Sequence, residues 1–522
     1  MSASGVDVHA DTYLDSLLLM VATVSMDGLE GVDWAGAVMA SAKGLEDLAA
    51  AGFSGSELAG LGANDLVLAV RGGDDDVVAA ALGAGREAAF AERTQAAGGG
   101  QAAPRSVTDA AARLDGANVA IVSVPGEYAA LEAHHALSAG LHVLLFSDGV
   151  PLEQEIELKT RAAGLGLLVM GPGAGTAVLG GTALGFANVL SSPALSAAGL
   201  WASGGGAVGV VAAAGTGAQE VSALLDRWGV PVSQVVGVGG RDLSEAVGGA
   251  MAQLAVRALV ADVGTAAVLV VSKPPAAASA AAVLGECTGT PGVAVFLGLG
   301  DVTAPAGVRL APTLEAGARA AAELAGGTVP PLAVGLLDRV SGVHLDPRRT
   351  TVQGLFSGGT LCYEAQVVLE GHLGPVHSNE PLRKDRTVPA PPGAHVLLDL
   401  GAEEYTRGVP HPMIDLSTRL DLLRTLRGDP TVAVVLLDVV LGHGSHEDPA
   451  GVLAPVCAEL MAGGGPQVVT YVLGTEGDPQ VYSRQKAAFE AAGCIVPQTN
   501  ARAAHVAAAL ALRRPELVAT GL

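Results

Sequence analysis

Residues 209–220 read GVVAAAGTGAQE, and residues 352–364 read VQGLFSGGTLCYE. Each starts with a short apolar run, passes through a turn of small residues, and continues as Gly-Thr-x-x-x-Glu. An apolar run closed by glycine predicts a buried strand, and the stretch beyond it a helix. Strand, tight turn and helix in that order make half of a βαβ unit, the building block of parallel sheets. The echo sets Gly215-Thr216 against Gly359-Thr360, and Glu220 against Glu364. A second pair follows in the same order: VGVGGRDLSE at 236–245 and LDLGAEEYTRG at 398–408 both leave a strand through glycine and acid. Two elements repeated in order predict a duplicated flavodoxin-like module.

The same rhythm extends outward. Runs at 118–124, 143–146, 208–211, 267–271, 293–297, 395–398 and 432–437 are dominated by Val, Ile and Leu, as strands covered on both faces are. Ala-rich helical stretches separate them, so the chain is predicted to be α/β almost throughout. Its 522 residues are enough for three or four cores at about 150 residues each. Composition places the divisions: a small α/β unit at 1–95, a flexible linker AAGGGQAAP at 96–104, further units at 105–200 and 201–345, and a last unit at 352–522.

Half the residues are hydrophobic but only 3% are aromatic, so the cores must be built from Ala, Val and Leu. The formal charge is −23, which argues against nucleic acid or an anionic membrane as partner. Small anionic substrates remain open, because backbone amides bind anions locally. No stretch reaches the roughly 18 uninterrupted apolar residues of a membrane span. The run at 17–24 is preceded by Asp11 and Asp15 and makes a poor signal peptide. Cys287, Cys362, Cys457 and Cys494 are widely spaced with no CxxC. That predicts free thiols in a reducing cytoplasm, with neither a zinc site nor a disulfide framework.

The two Gly-Thr turns carry the first candidate site: Gly215, Thr216 and Gly217 in one, Ser357, Gly358, Gly359 and Thr360 in the other. A helix start exposes unpaired N–H groups and the positive end of the helix dipole, a setting for phosphate or carboxylate. Thr216 with Gln219 also fits a capping box. Plain N-capping of two surface helices is the blander account; two facing starts would clamp one anion between them. Neither turn is a nucleotide P-loop, since no Gly-Lys-Ser/Thr follows, and neither is GxGxxG. Turns at 146–149 and 171–176 also follow strand runs, where open α/β sheets bind ligands.

The densest polar chemistry lies later. His411 stands between two prolines in PHPMID (410–415), close to Asp415. The loop GHGSHEDPAG at 442–451 gathers His443, His446, Glu447 and Asp448. Imidazole and carboxylate together suit proton transfer or substrate binding, and the spacing matches no standard zinc motif. Arg241 and Arg407 are the guanidinium candidates for an anionic substrate.

At these residues the chain resembles the FdrA family, relatives of succinyl-CoA synthetase and the NDP-forming acyl-CoA synthetases. The motifs are MGPGAGTA (170–177), GFANV (185–189), AAGTGAQE (213–220), VGGRDLSEAVGG (238–249), VSKPPAA (271–277), GLFSGGTLCYEA (354–365), YTRGVPHPMID (405–415) and LGHGSHEDPAG (441–451). The resemblance implies a multidomain succinyl-CoA synthetase-like α/β fold. A Rossmann-like unit at 105–200 and two flavodoxin-like modules would follow a small ferredoxin-like N-terminal unit. Residues 105–345 would correspond to the synthetase α-subunit and 352–522 to the C-terminal domain of its β-subunit. In succinyl-CoA synthetase a phosphohistidine is held between two helix N-termini; here 214–217 and 357–360 look like that pair, in one polypeptide.

The departures point to a different reaction. Where the family's histidine loop should fall, residues 309–313 read RLAPT. No ATP-grasp domain and no Gly-rich CoA loop are evident. FdrA-like proteins are linked to oxamate carbamoyltransferase, which converts oxalurate and phosphate to oxamate and carbamoyl phosphate and works with two unrelated subunits. The resemblance therefore implies a cytoplasmic carbamoyltransferase component in allantoin catabolism. It would be homo-oligomeric and part of a hetero-complex, with inorganic phosphate as co-substrate. Phosphate would sit in the clamp, the oxalurate carboxylate on Arg241 or Arg407, and the travelling proton on His411 or His446, with Asp415 alongside. The alternatives are an acyl-CoA synthetase-like enzyme that binds CoA and a small carboxylic acid, or a non-catalytic metabolite-binding scaffold.

Overall fold

The computed structural model describes residues 3–10, 12, 14, 16–53, 58–62, 64–90, 104–191, 206–299, 303–406 and 409–521. They divide into two compact units, Met1–Ala103 and Pro104–Leu522. Of the linker expected at 96–104, residues 96–103 lie outside the described residues.

The first unit runs β1 (Ala3–His9), α1 (Ser16–Asp27), β2 (Val32–Met39), α2 (Ala42–Ala50), β3 (Leu66–Gly72) and α3 (Asp75–Phe90). Strand β3 lies between β1 and β2 and is antiparallel to both. The outer strands are therefore parallel to each other and joined through α1, the split βαβ of a ferredoxin-like unit. Alternation along β3 explains why both of its faces are covered. Leu66, Leu68 and Val70 pack with Ala22, Met26, Val78 and Ala81. Val67 and Ala69 point the other way, onto Leu48 and Phe53.

The second unit opens with α4 (Val107–Arg113), β4 (Val119–Val122), α5 (Gly126–Ser138), β5 (His142–Leu145), α6 (Leu152–Leu165) and β6 (Val169–Met170). These three strands form a parallel sheet in the order β4-β5-β6. A hairpin of β7 (Thr176–Leu179) and β8 (Thr182–Gly185) then crosses to the edge of the next sheet, where β7 pairs antiparallel with β10 (Val232–Gly237). That sheet also holds β9 (Ala207–Ala212), β11 (Thr265–Ser272), β12 (Gly292–Phe296) and β13 (Val308–Ala311). Its helices are α7 (Gly215–Arg227), α8 (Ala250–Ala261), α9 (Ala277–Gly285) and α10 (Leu314–Leu324). Beyond α11 (Leu336–Ser341) come β14 (Thr351–Phe356), α12 (Gly359–Leu373), β15 (Val376–His377), β16 (His395–Asp399), α13 (Glu403–Thr406), α14 (Ser417–Leu426) and β17 (Val432–Val440). The chain closes with α15 (Pro449–Met461), β18 (Gln467–Leu473), α16 (Tyr482–Ala491) and α17 (Asn500–Leu512).

Four strands repeat in order as the sequence echo predicts, β10-β9-β11-β12 in one sheet and β16-β14-β17-β18 in the other, with two-residue β15 an extra edge strand in the second. In the seven-stranded sheet the parallel strands run β13-β12-β11-β9-β10, and in the five-stranded sheet β15-β16-β14-β17-β18. Strand β9 sits between β10 and β11, and β14 between β16 and β17. Each Gly-Thr turn thus leaves the strand at which the connections reverse direction, the switch point where doubly wound sheets bind ligands. Every residue of β9 and of β17 is buried, which is why these strands read as unbroken apolar runs. One apolar core spans both modules, running from Val210, Leu224 and Leu269 through Phe356 and Leu361 to Ala503, Ala507 and Ala508. Alanines on α17 let it lie close against α12, as ridge-and-groove packing of small side chains allows.

Candidate functional site

The two helix starts face each other. The Thr360 N–H donates to the Thr216 hydroxyl at 3.2 Å. A Cβ on Gly217 would lie 3.0 Å from Thr360 Cγ2, and one on Gly358 would lie 3.0 Å from Thr216 Cγ2. Side chains larger than glycine would therefore push the helices apart. The capping box does not form: Gln219 donates instead to the Phe186 carbonyl at 2.6 Å, while the Thr216 hydroxyl is spent on the opposite helix. Five residues into each helix, Glu220 and Glu364 are fully buried. Asn500, at the start of α17, bridges them, its backbone N–H to Glu220 Oε1 at 3.3 Å and its side-chain Nδ2 to Glu364 Oε2 at 2.8 Å. Burial raises both carboxyls, Glu220 to about 7 and Glu364 to about 8.

The clamp is asymmetric. Asp438, on β17, places its carboxylate on the second turn: Oδ1 accepts from the Ser357 N–H at 2.7 Å and its hydroxyl at 2.9 Å, and Oδ2 from the Gly358 N–H at 2.7 Å. Buried Arg419 holds that carboxylate at 3.1 Å and the Asp438 carbonyl at 2.6 Å. An internal anion thus already occupies Ser357 and Gly358, which corrects the expectation that both turns offer their amides to one external ligand. On the α7 side the N–H groups of Gly215, Thr216 and Gly217 have no acceptor among the described residues, since the first internal bond runs from Ala218 to Ala214.

The first of those residues, Gly215, borders a cavity of about 260 Å³ at the carboxyl ends of β9, β10 and β11. Gly173, Gly175, Gly237 and Gly239 line it, together with Thr360 and Lys273. Backbone without side chains leaves N–H groups and space for a small anion. Lys273 supplies the positive charge. It follows β11 directly, lies 5.5 Å over the Tyr363 ring, and has no ion-pair partner among the described residues. Sequence reasoning missed it, although the end of a buried strand inside the VSKPPAA motif was the signal.

Asp399, at the end of β16, was also missed. It is 5% exposed, and its Oδ1 accepts from the Gly401 N–H at 3.0 Å. Its other oxygen lies so close to Gly359 that a Cβ there would come within 2.4 Å. Burial pushes its carboxyl up to about 6, against the opposing pull of Lys273. His411 comes to the same place, its Nε2 facing Gly401 at 2.8 Å from a Cβ position there. Burial lowers its pKa, so the ring is neutral near pH 7; Asp438 raises it and Arg419 lowers it further. Its Nδ1 accepts from the Met413 N–H at 3.3 Å, which assigns the proton to Nε2.

The remaining expected residues are otherwise engaged. Arg241 pairs with buried Glu155 at 2.7 Å through Nε and donates to the Val150 carbonyl at 2.7 Å through one terminal nitrogen, while its side chain stays half-exposed. Glu155 and Asp242 both hold the buried Lys159 ammonium at 2.8 Å, which fastens α6 to the β10 turn. The Asp415 N–H donates to the His411 carbonyl at 3.1 Å, but its carboxylate turns to the start of α14, where Oδ1 accepts from the Ser417 N–H at 2.8 Å and from the Ser417 hydroxyl. The His446 N–H donates to the Met413 carbonyl, tying its loop to that of His411, and its Nδ1 accepts from the Asp448 N–H at 3.1 Å. Asp448 caps α15 by accepting from the Gly451 N–H. Arg407 lies outside the described residues. Among the described residues no helix is long and apolar enough to cross a membrane.

Comparison with known proteins places the chain. Residues 355–510 match the CoA-ligase family, and residues 1–106 a family described as AllF, heavy metal-associated domain. Over 516 residues the chain is 35% identical to the uncharacterized protein YahF of Escherichia coli (strain K12), covering 94% of this chain and 96% of that protein. The chain belongs to the YahF family. A shorter stretch of 138 residues is 30% identical to subunit alpha 2 of the ADP-forming succinate–CoA ligase of Archaeoglobus fulgidus, covering 26% of this chain and 44% of that subunit. Among solved structures, dinucleotide-forming acetyl-coenzyme A synthetase 1 of Ca. Korarchaeum cryptofilum is similar at 15% identity and a TM-score of 0.32, over 80% of this chain and 87% of that one. PH0766 of Pyrococcus horikoshii OT3 gives 16%, 0.29, 80% and 88%. The YahF-family chain is thus an α/β protein with a CoA-ligase domain and a small N-terminal unit. That unit does not fit a thiolate metal site, because its first cysteine would be Cys287, far beyond residue 106. Among the described residues no group of three or more His, Cys, Asp or Glu could hold a metal ion.

Proposed function

We propose that this chain transfers an acyl-like group between a small organic acid and inorganic phosphate, in the cavity between α7 and α12. The observation that supports it best is that Gly215, the first residue of a helix start whose amides are open, and unpaired Lys273 line the same space of about 260 Å³. That volume suits a phosphate beside a small acid. Under the FdrA-like reading the acyl group is carbamoyl. A phosphate oxygen attacks the ureido carbonyl of oxalurate, the carbon–nitrogen bond breaks, and the nitrogen leaves as oxamate after taking a proton. The α7 amides and Lys273 stabilise the charge on phosphate and on the developing oxyanion. Asp399, protonated below about pH 6, supplies the proton, and neutral His411 beside it completes the path. The AllF match over residues 1–106 favours this chemistry.

A second reading, ligation of a small carboxylic acid to CoA, is favoured by the CoA-ligase match over 355–510. One experiment separates the two. Phosphate release from carbamoyl phosphate plus oxamate is measured with the purified chain, alone and with the products of its neighbouring genes. Oxamate-dependent release supports carbamoyl transfer. No release in either format, with CoA binding seen by calorimetry, supports the ligase reading instead.

A further inference from the structure

A second cleft lies on the same helix as the phosphate cavity. It has a volume of about 440 Å³ and is walled by Phe296, Leu299, Leu310, Pro312 and Val367. Thr360 borders the first space and Val367 the second. Residues three and four apart share a helix face, so Thr360, Tyr363 and Val367 form one stripe along α12. Tyr363 lies between Thr360 and Val367 on that stripe, and the Lys273 ammonium is 5.5 Å from its ring centroid. Across from it the turn after β12 approaches closely: Gly298 has φ +70°, and a Cβ there would lie 3.4 Å from Val367 and 3.5 Å from Tyr363. The first space is lined by glycine and alanine backbone with Thr176, Thr360 and Lys273, the second mostly by hydrocarbon, and Lys273 makes no ion pair among the described residues, the Asp399 carboxyl acting on it only at longer range.

We infer that this cleft takes the apolar body of an organic acid whose carboxylate reaches Lys273. The inference rests on the transfer between an organic acid and phosphate proposed above; it gives Lys273 the acid's carboxylate, which that reading leaves unplaced, and makes the acid amphipathic in place of oxalurate. Such a ligand uses both walls at once: the ammonium pairs with the carboxylate, and Phe296, Leu310 and Val367 remove the hydrocarbon from water. Each buried methylene tightens binding by about fourfold.

Calorimetric titration with acetate, butanoate, hexanoate and, separately, inorganic phosphate tests it. Affinity should rise with chain length, hexanoate binding at least tenfold more tightly than acetate. Leu310→Glu, at a position 43% exposed on an edge strand and therefore tolerant of charge, should abolish the chain-length preference and leave phosphate binding intact. Val367→Trp should do the same by filling the cleft. Lys273→Met should weaken all three acids at least tenfold. Equal affinity for acetate and hexanoate, or a preference that survives both cleft variants, overturns the inference even if phosphate binds and carbamoyl transfer is found. A preference lost in Leu310→Glu upholds it even if no transfer is detected, in which case the proposed reaction falls and the cleft stands.

Discussion

The backbone N–H of Thr360 donates to the hydroxyl of Thr216 across 3.2 Å, so the N-terminus of one module's helix is capped by a side chain of the other. This one bond sets the spacing of the two helix starts. Thr216→Val keeps the shape and removes the acceptor. It should cost about 1 kcal/mol, the usual value of an N-cap, and weaken phosphate binding roughly tenfold; Thr216→Ser should restore both. Urea titration and calorimetry would show it. Wild-type phosphate affinity in Thr216→Val would remove the helix pair from the binding model.

Asp438 is an anion built into the second turn, and Arg419 is the buried cation that holds it. Asp438→Asn leaves Arg419 unpaired in the core and withdraws negative charge from two helix-start amides. A loss of about 3–5 kcal/mol is expected for breaking such a pair. Because Ser357 and Gly358 would then lack a charged partner, added phosphate should recover part of the loss by binding the folded state. Thermal melts of the variant with and without phosphate test both halves of this expectation.

How much of this was legible beforehand depends on what each signal encodes. The Gly-Thr-x-x-x-Glu echo gave the duplicated module, because strand, turn and helix are local and each leaves its own mark. It also paired Glu220 with Glu364, which Asn500 indeed joins. The contacts that decide the site run between distant segments. Asp438 reaches a turn some 80 residues earlier, and nothing in the apolar run around it marks its side chain as a helix cap. Lys273 and Asp399 each follow or end a buried strand, so both looked like strand punctuation. Arg241 shows the same limit: an arginine after Gly-Gly looks wholly available, yet Glu155, from a helix roughly 85 residues earlier, pairs with it.

Arg241→Ala should therefore leave phosphate affinity unchanged. It should lower stability modestly, because Glu155 loses one of its two cations while keeping Lys159 at 2.8 Å. A tenfold loss of phosphate binding with the fold intact would return Arg241 to the site.

Asp399 gives the reaction its expected pH dependence. Burial raises its carboxyl to about 6, and a general acid works only while protonated. Turnover of oxalurate with phosphate should fall as pH rises through about 6. Asp399→Asn should lower the rate at least a hundredfold and flatten that limb, with little change in KM for phosphate. A limb at pH 6 that persists in the variant would assign it to another group.

Stability should carry a second pH signature, set by the pair that Asn500 joins. Glu220 and Glu364 have folded-state values near 7 and 8 against about 4.5 for the ordinary side chain. Raised carboxyls hold their protons more tightly when folded, so their contribution is fully present below pH 4.5 and is lost as pH rises through 7 and then 8. The urea midpoint should decline from about pH 5 to pH 8.5, opposite to the trend of carboxylates held in ion pairs. Glu364→Gln cannot ionise and keeps an oxygen for the Leu314 N–H, which lies 2.6 Å from Glu364 Oε1, while its amide nitrogen, in place of Oε2, requires the Asn500 amide to turn its oxygen toward it. It should flatten the upper part of that decline and raise the midpoint at pH 8.5 relative to the wild type. An unchanged slope in Glu364→Gln would mean that Glu364 stays charged at the interface between the modules.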